Sequence, residues 1–258
     1  MKLRVLGAHN CESKKTRLVT LLIDDVLALD AGGLTSSLTF KAQQKIKAIL
    51  ITHAHYDHIR DIPTLAMNSL LHEKRMHVYA TQEVYDALAT HILNGTVYAE
   101  FFKKPVDNPV IKFTLIKPLQ KIAIAGHDVL PVPVAHSLPA VGYLVTSSDG
   151  KTLFYTGDTG PGLSECWQYI SPQLLIIETT APNRYEEFGK KNRHLTPSLL
   201  KAELLDFRKM KGYLPQVVLV HMNPNPEQEK QLAEEITALA QELNASITLG
   251  YEGMRIAL

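Results

Sequence analysis

Short apolar runs punctuated by glycine, proline or charged pairs recur along the chain, and their period switches between two and about three and a half. Leu3 to Leu6, Leu18 to Ile23 and Val26 to Leu29 read as strands, with Asp24-Asp25 as a two-residue hairpin turn between the last two. Ala31-Gly32-Gly33 breaks this pattern, and Leu34, Leu38 and Ala42 predict a helix over Leu34 to Lys45. Lys47 to Thr52 is a strand, and Pro63 opens a helix at about 63 to 72. Met76 to Ala80 follows as a strand and Gln82 to Leu93 as a helix.

Residues 95 to 110 are irregular, with Phe101-Phe102-Lys103-Lys104-Pro105 setting aromatics beside charges; a surface loop with a hydrophobic anchor fits, as does a substrate-facing insert. A second strand run comprises Val110 to Ile116, Lys121 to Ile124, Val129 to Ala135, Val141 to Thr146 and Leu153 to Tyr155, with a hairpin turn at Ser148-Asp149-Gly150-Lys151. Beyond it come a short helix (Leu163 to Ile170), a strand (Leu174 to Ile177), a helix (Pro197 to Met210), a strand (Val217 to Val220) and a helix (Glu227 to Leu243). Ser246 to Leu249 and Arg255 to Ala257 are closing strands. Both halves run strands first and strand-helix alternation after, which predicts an α/β fold with two packed sheets and helices outside.

At 258 residues and 45% hydrophobic content, one domain over 1–258 is the expectation. A net charge of +1 gives no broad attraction for a polyanion, so long nucleic acid is not an expected partner. Cys11 and Cys166 form no Cys-x-x-Cys spacing and read as small core residues in a reducing compartment. No apolar run reaches membrane length and the start is too short for a signal peptide, so a cytoplasmic location is expected, with no membrane partner. A homodimer is a further, untied expectation.

The chemistry concentrates where Ile49-Leu50-Ile51 runs into Thr52-His53-Ala54-His55-Tyr56-Asp57-His58. Three imidazoles and a carboxylate in six positions are ligand types suited to zinc, iron and manganese. If the chain stays extended, His53 and His55 point to the same side. Three other apolar strands end likewise: Val132-Pro133-Val134-Ala135 in His136, Leu153-Phe154-Tyr155-Thr156-Gly157 in Asp158, and Val217-Val218-Leu219-Val220 in His221. His9, His72, His77, His91 and His127 have no such pattern and read as structural or surface residues.

This order of motifs resembles the metallo-β-lactamase-fold hydrolases: His53, His55, Asp57 and His58 match the His-x-His-x-Asp-His signature, and His136, Asp158 and His221 match the later ligands. The resemblance implies a four-layer αββα sandwich holding two divalent metal ions, zinc first, with manganese or iron also suited. It implies that His53, His55 and His136 hold one ion and Asp57, His58 and His221 the other, with Asp158 bridging. Redox di-iron members of the fold carry glutamate where this chain has His55, which favours a hydrolase.

His194 lies in Arg193-His194-Leu195-Thr196-Pro197, with Thr196 as N-cap of the helix that Pro197 begins, a setting that suits a phosphate or oxyanion. The stretch is similar to the His-Leu-Thr-Pro segment of class II cyclic-nucleotide phosphodiesterases and to a His-Ser-Thr segment of tRNA 3′-processing endonucleases. Leu29-Asp30-Ala31-Gly32-Gly33, Tyr155-Thr156-Gly157-Asp158-Thr159-Gly160, Val220-His221-Met222-Asn223-Pro224 and Tyr251-Glu252-Gly253-Met254 point to the same branch. The resemblance implies attack by a metal-bridging hydroxide on a small phosphodiester such as a 3′,5′-cyclic nucleotide, with Asp57 and His194 as the catalytic set and His194, Arg60 and Thr196 as substrate-binding residues. Arg60 either binds the substrate anion or pairs with Asp61 or Asp57. A thioester or lactone hydrolase uses the same ligands, and a ribonuclease of the tRNA-processing type carries a long Gly/Pro-rich arm unlike anything here.

Overall fold

The computed structural model describes residues 1–258. Its first sheet contains β1 (Lys2–Gly7), β2 (Thr20–Ile23), β3 (Leu27–Leu29), β4 (Ala48–Leu50), β5 (Met76–Ala80), β6 (Ile111–Leu115) and the last strand, β14 (Arg255–Ala257). The order is β14-β1-β2-β3-β4-β5-β6. The second sheet contains β7 (Ile122–Ile124), β8 (His127–Pro133), β9 (Val141–Thr146), β10 (Thr152–Tyr155), β11 (Leu174–Glu178), β12 (Gln216–Val220) and β13 (Ile247–Leu249), in the order β13-β12-β11-β10-β9-β8-β7. Each sheet passes from antiparallel to parallel pairing, at β3 to β4 in one and β10 to β11 in the other.

Period two decides which layer each side chain joins. Leu21, Ile23, Leu27, Leu29, Ala48 and Leu50 face the second sheet, in one cluster with Val129, Tyr143, Val145 and Leu153. Leu22, Ala28 and Ile49, between them in sequence, face outward into a second cluster. There they meet α3 (Tyr56–Ile59) and α4 (Ile62–Leu71) through Ile59, Ile62 and Leu65. On the other side α6 (Ser164–Tyr169), α8 (Pro197–Lys211) and α9 (Pro226–Leu243) cover the second sheet with Trp167, Leu200, Leu204, Phe207, Leu232, Ile236 and Leu239. The result is the four-layer αββα sandwich. No helix is long and apolar enough to cross a membrane.

Asp24 and Asp25 both take left-handed φ, 50° and 59°, as a two-residue hairpin requires. The helix expected over Leu34 to Lys45 is instead two short ones, α1 (Leu34–Ser37) and α2 (Phe40–Gln43). Leu38 is extended, and Thr39 Oγ1 accepts from the Ala42 amide at 3.3 Å, starting the second helix by a local cap that competes with a continuous one. Two α-helices escape the sequence pattern: α3, within the ligand signature, and α7 (Glu186–Asn192). The span Gln82 to Leu93 holds α5 (Gln82–Ala87) followed by a wide turn over Leu88–Ile92. Cys166 is buried, but Cys11 is exposed, correcting its reading as a core residue.

Residues 95 to 110 pack at the strand-start end of β5 and β6. Val110 accepts from the Met76 amide, Asn108 accepts from Arg75, Phe101 is buried, and Phe102 stacks on Tyr85 at 4.9 Å. The ligand signature leaves β4 at the opposite end of the same sheet, after Ile51 pairs with Tyr79. The segment is thus an anchored surface loop, not an insert facing the ligands.

Candidate metal centre

Every candidate ligand follows the C-terminal end of a strand. After β4 the chain stays extended through His55, which serves as N-cap of α3 with ψ 145°, and α3 carries Asp57 and His58. His136 lies three residues beyond β8, Asp158 three beyond β10, and His221 directly after β12. His221 takes a left-handed φ of 65°, a costly conformation for a residue with a Cβ, and one that recurs at functional sites.

These side chains converge on two adjacent points. His53 Nε2 is 3.0 Å and His136 Nε2 3.1 Å from His55 Nδ1, and Asp158 Oδ2 is 3.7 Å from His53 Nε2. At the second point, Asp57 Oδ2 lies 3.4 Å from His58 Nε2 and 3.3 Å from His221 Nε2, while Asp158 reaches His58 Nε2 at 3.1 Å and His221 Nε2 at 3.2 Å. Asp158 belongs to both groups. A tetrahedral ion with nitrogen ligands at about 2.0–2.1 Å spaces them about 3.3 Å apart, close to these separations. His58 Nε2 and Asp158 Oδ1 are buried 3.1 Å apart without forming a hydrogen bond, as two donors to one ion would stand. The donor set therefore fits two divalent ions.

In four of the five rings the opposite edge fixes the tautomer; His55 instead turns Nδ1 to the cluster. His53 Nδ1 contacts Thr52 Oγ1 at 3.0 Å, and that hydroxyl contacts Asp30 at 3.0 Å. His58 Nδ1 donates to Asp30 Oδ2 at 2.7 Å, His221 Nδ1 to Thr180 Oγ1 at 2.9 Å, and His136 Nδ1 to the Arg193 carbonyl at 3.2 Å. With Nδ1 carrying the proton, Nε2 presents its lone pair to the cluster. Burial is the main cause that holds His53, His55 and His136 below the ordinary imidazole range, which favours the neutral, ligating form.

Two carboxylates supporting the rings escaped the sequence reading as site residues. Asp30, directly after β3 and fully buried, also accepts from the Thr52 amide at 2.8 Å and the Tyr155 hydroxyl at 2.7 Å. Glu178, the last residue of β11, accepts from the Thr159 amide, the Leu195 amide, the Thr180 hydroxyl and His194 Nδ1. The signal that marked the histidines, a ligand-type residue at an apolar strand end, applies to both.

His194 lies beside the ligands, its ring 5.3 Å from and nearly parallel to that of His221 and 5.4 Å from that of His136. Burial disfavours its charged form, but the charge and hydrogen bond of Glu178, at 2.7 Å, outweigh burial and push its pKa up to about 9. The two other expected substrate residues are placed differently. Arg60 is ion-paired with Glu12 and, at 3.0 Å, with Asp61. Thr196 stands at the N-cap position of α8 but is buried, with its hydroxyl on Ser198 Oγ; Asn183 Oδ1 instead caps the Ser198 amide at 2.7 Å.

The family described as "Beta-lactamase superfamily domain" matches residues 20–249. The chain belongs to that superfamily. Its relatives include a probable 3′,5′-cyclic-nucleotide phosphodiesterase of Yersinia pestis, 25% identical over 78% of this chain and 64% of that one. A ribonuclease Z of Methanococcus maripaludis is 28% identical over 56% of this chain. The chain thus spans under two thirds of the length of the first and 47% of the second. Among solved structures, unliganded yeast PDE1 superposes with a TM-score of 0.84 at 18% identity, covering 100% of this chain and 99% of that one. Human tRNase Z, short form, gives 0.68 at 19%, covering 100% and 99%. These superpositions show the shared metallo-β-lactamase fold, and the relatives matched in sequence include a cyclic-nucleotide phosphodiesterase and ribonucleases Z.

Proposed function

We propose that the chain is a dinuclear-metal phosphodiesterase acting on a small phosphodiester such as a 3′,5′-cyclic nucleotide. The observation that carries this reading is His194, outside the seven-ligand set, held by Glu178 against His221. Divalent ions, zinc first, held by His53, His55 and His136 in one pocket and by Asp57, His58 and His221 in the other, with Asp158 common to both, would supply Lewis acidity and lower the pKa of a bound water. The chain's own residues handle the protons. Asp57 turns Oδ2 to the second pocket beside His58 and His221, which leaves its other carboxylate oxygen, on a partly exposed side chain, to take the proton that the attacking water loses. With Nδ1 engaged by Glu178, His194 offers Nε2–H to the leaving oxygen, and its elevated pKa keeps that proton in place at neutral pH.

A thioester substrate gives His194 no comparable task, because a thiolate leaving group needs less help from an acid. A ribonuclease reading lacks an arm: the irregular segment 95–110 is anchored at the end of the sheet away from the ligands. The test is turnover of bis-p-nitrophenyl phosphate and cyclic nucleotides with Zn²⁺ or Mn²⁺, beside S-lactoylglutathione and an acyl lactone. His194→Ala is expected to cut phosphodiester turnover by roughly 10²- to 10⁴-fold. Undiminished hydrolysis in His53→Ala or Asp158→Ala overturns the proposal.

A further inference from the structure

His9 is buried, at 4% exposure, and both its ring nitrogens meet carboxylates from distant parts of the chain. Nδ1 is 2.6 Å from Glu252 Oε1, in the turn before β14, and Nε2 is 3.1 Å from Glu229 Oε1, on α9. Glu252 Oε1 also accepts the Arg17 amide at 2.9 Å and the Ala8 amide at 3.3 Å. The segment Ala8 to Asn10 is therefore fixed from both flanks, and His9 itself donates its amide to the Arg17 carbonyl at 3.0 Å. Tyr251-Glu252-Gly253-Met254, a motif with no place among the ligands, gains a role here: Gly253 and Met254 bond Val5 in β1 while Glu252 receives His9.

What this fixed segment grips is the residue after a metal ligand. The Met222 amide donates to the Ala8 carbonyl at 3.1 Å, the Asn10 amide donates to the Met222 carbonyl at 3.1 Å, and His9 bridges Met222. Met222 follows His221, whose left-handed backbone leaves β12 at an angle that its own strand does not impose. Thr180 holds the His221 ring, but its exit from the strand is held by residues 8 to 10.

We propose that His9 and Glu252 form a positioning clamp for the second metal pocket, setting the backbone of His221 so that its Nε2 meets Asp57, His58 and Asp158. The inference rests on the metal-binding part of the proposed function and not on the substrate. A histidine suits the place because its two nitrogens lie on opposite edges of one compact ring and so reach two carboxylates on separate elements. The first pocket, built from His53, His55 and His136, has no backbone contact with this clamp, so the two sites should respond differently.

The experiment is stepwise Zn²⁺ titration of the full metal-stripped chain against a chromophoric chelator, repeated with Co²⁺ for its absorption spectrum. In His9→Ala the first step should keep its affinity, and the second should weaken about 10- to 100-fold, the usual effect of losing a group that orients a ligand. His9→Asn, which keeps a donor near the Nδ1 position, should recover part of the loss. Leu232→Ala, a core truncation on α9, serves as the control for general destabilisation and should leave both steps unchanged. If His9→Ala does not fold, Glu252→Gln carries the same measurement. Two wild-type steps in a folded His9→Ala or Glu252→Gln chain overturn the clamp while leaving the metal site standing. Absence of tight Zn²⁺ binding by the unaltered chain overturns the metal reading and the clamp with it.

Discussion

Glu178 and His194 are joined by a 2.7 Å hydrogen bond from Nδ1 to Oε1, and three further donors hold the carboxylate in place. Removing the charge while keeping the shape isolates its effect. In Glu178→Gln the His194 pKa should fall from about 9, so the ring loses its proton at lower pH. The alkaline limb of kcat against pH should move to lower pH, with turnover down roughly 10²-fold or more at pH 8. A pH–rate profile on bis-p-nitrophenyl phosphate reads this directly.

Asp30→Asn keeps the volume but sets an amide against the Thr52 amide, the Thr52 hydroxyl, His58 Nδ1 and the Tyr155 hydroxyl, all donors. Leaving buried partners of a charged group uncompensated costs about 3–5 kcal/mol. Urea denaturation should show a loss of that order, and metal titration a 10- to 100-fold weaker second site. Unchanged values in both would rule out the support assigned to Asp30.

Gly32 packs where a Cβ would lie 2.1 Å from the Asp57 carbonyl and 2.6 Å from Leu18 Cβ. Gly32→Ala must push α3 outward, carrying Asp57 and His58 with it. A stability loss of about 1–3 kcal/mol, together with a weakened second metal, is expected. Differential denaturation of the metal-free and metal-loaded variant separates the two effects.

His9 has a pKa raised above 6.5; burial opposes the charged ring, and hydrogen bonds with Glu252 and Glu229 outweigh it. A raised pKa means that the folded state binds the proton more tightly. The resulting stability is complete below about pH 6.5 and lost as pH rises through the folded value. Glu252 contributes in the opposite direction: its depressed pKa stabilises above about 4.5, and that part disappears as pH falls through its folded value. The gap in unfolding free energy between the unaltered chain and His9→Gln should therefore be widest between those limits and narrow above pH 6.5.

Chelation should lower stability as well as abolish turnover, because the pockets gather ligands from four strand ends that an unfolded chain scatters. At a free metal concentration ~1,000 times Kd, each site contributes about 4 kcal/mol. Melting curves with EDTA and with excess Zn²⁺ should separate widely, and coincident curves would sink the assignment of the clusters as metal sites.

The candidate ligands were legible where local chemistry is enough. His53, His55, Asp57 and His58 stand within six positions, and each later ligand ends or closely follows an apolar strand, so the sheet itself carries them to one rim. Arg60 was legible only as a charge beside Asp61, since its other partner, Glu12, is 48 residues away in sequence and comes near through packing alone. The two-helix break at Leu38 was hidden because apolar spacing continues across it while Thr39 offers the competing cap.

By itself, the sequence determined the two-layered strand pattern and the seven metal-binding candidates, because alternation and residue type are local properties of the chain. The tertiary structure alone decided that Asp30 orients two histidine edges, that Glu178 fastens His194 against His221, and that His9 reaches Glu229 and Glu252. Those relationships join residues 16 to 243 positions apart, and a buried charge finds its partner through the packing of separate elements, which no local pattern encodes.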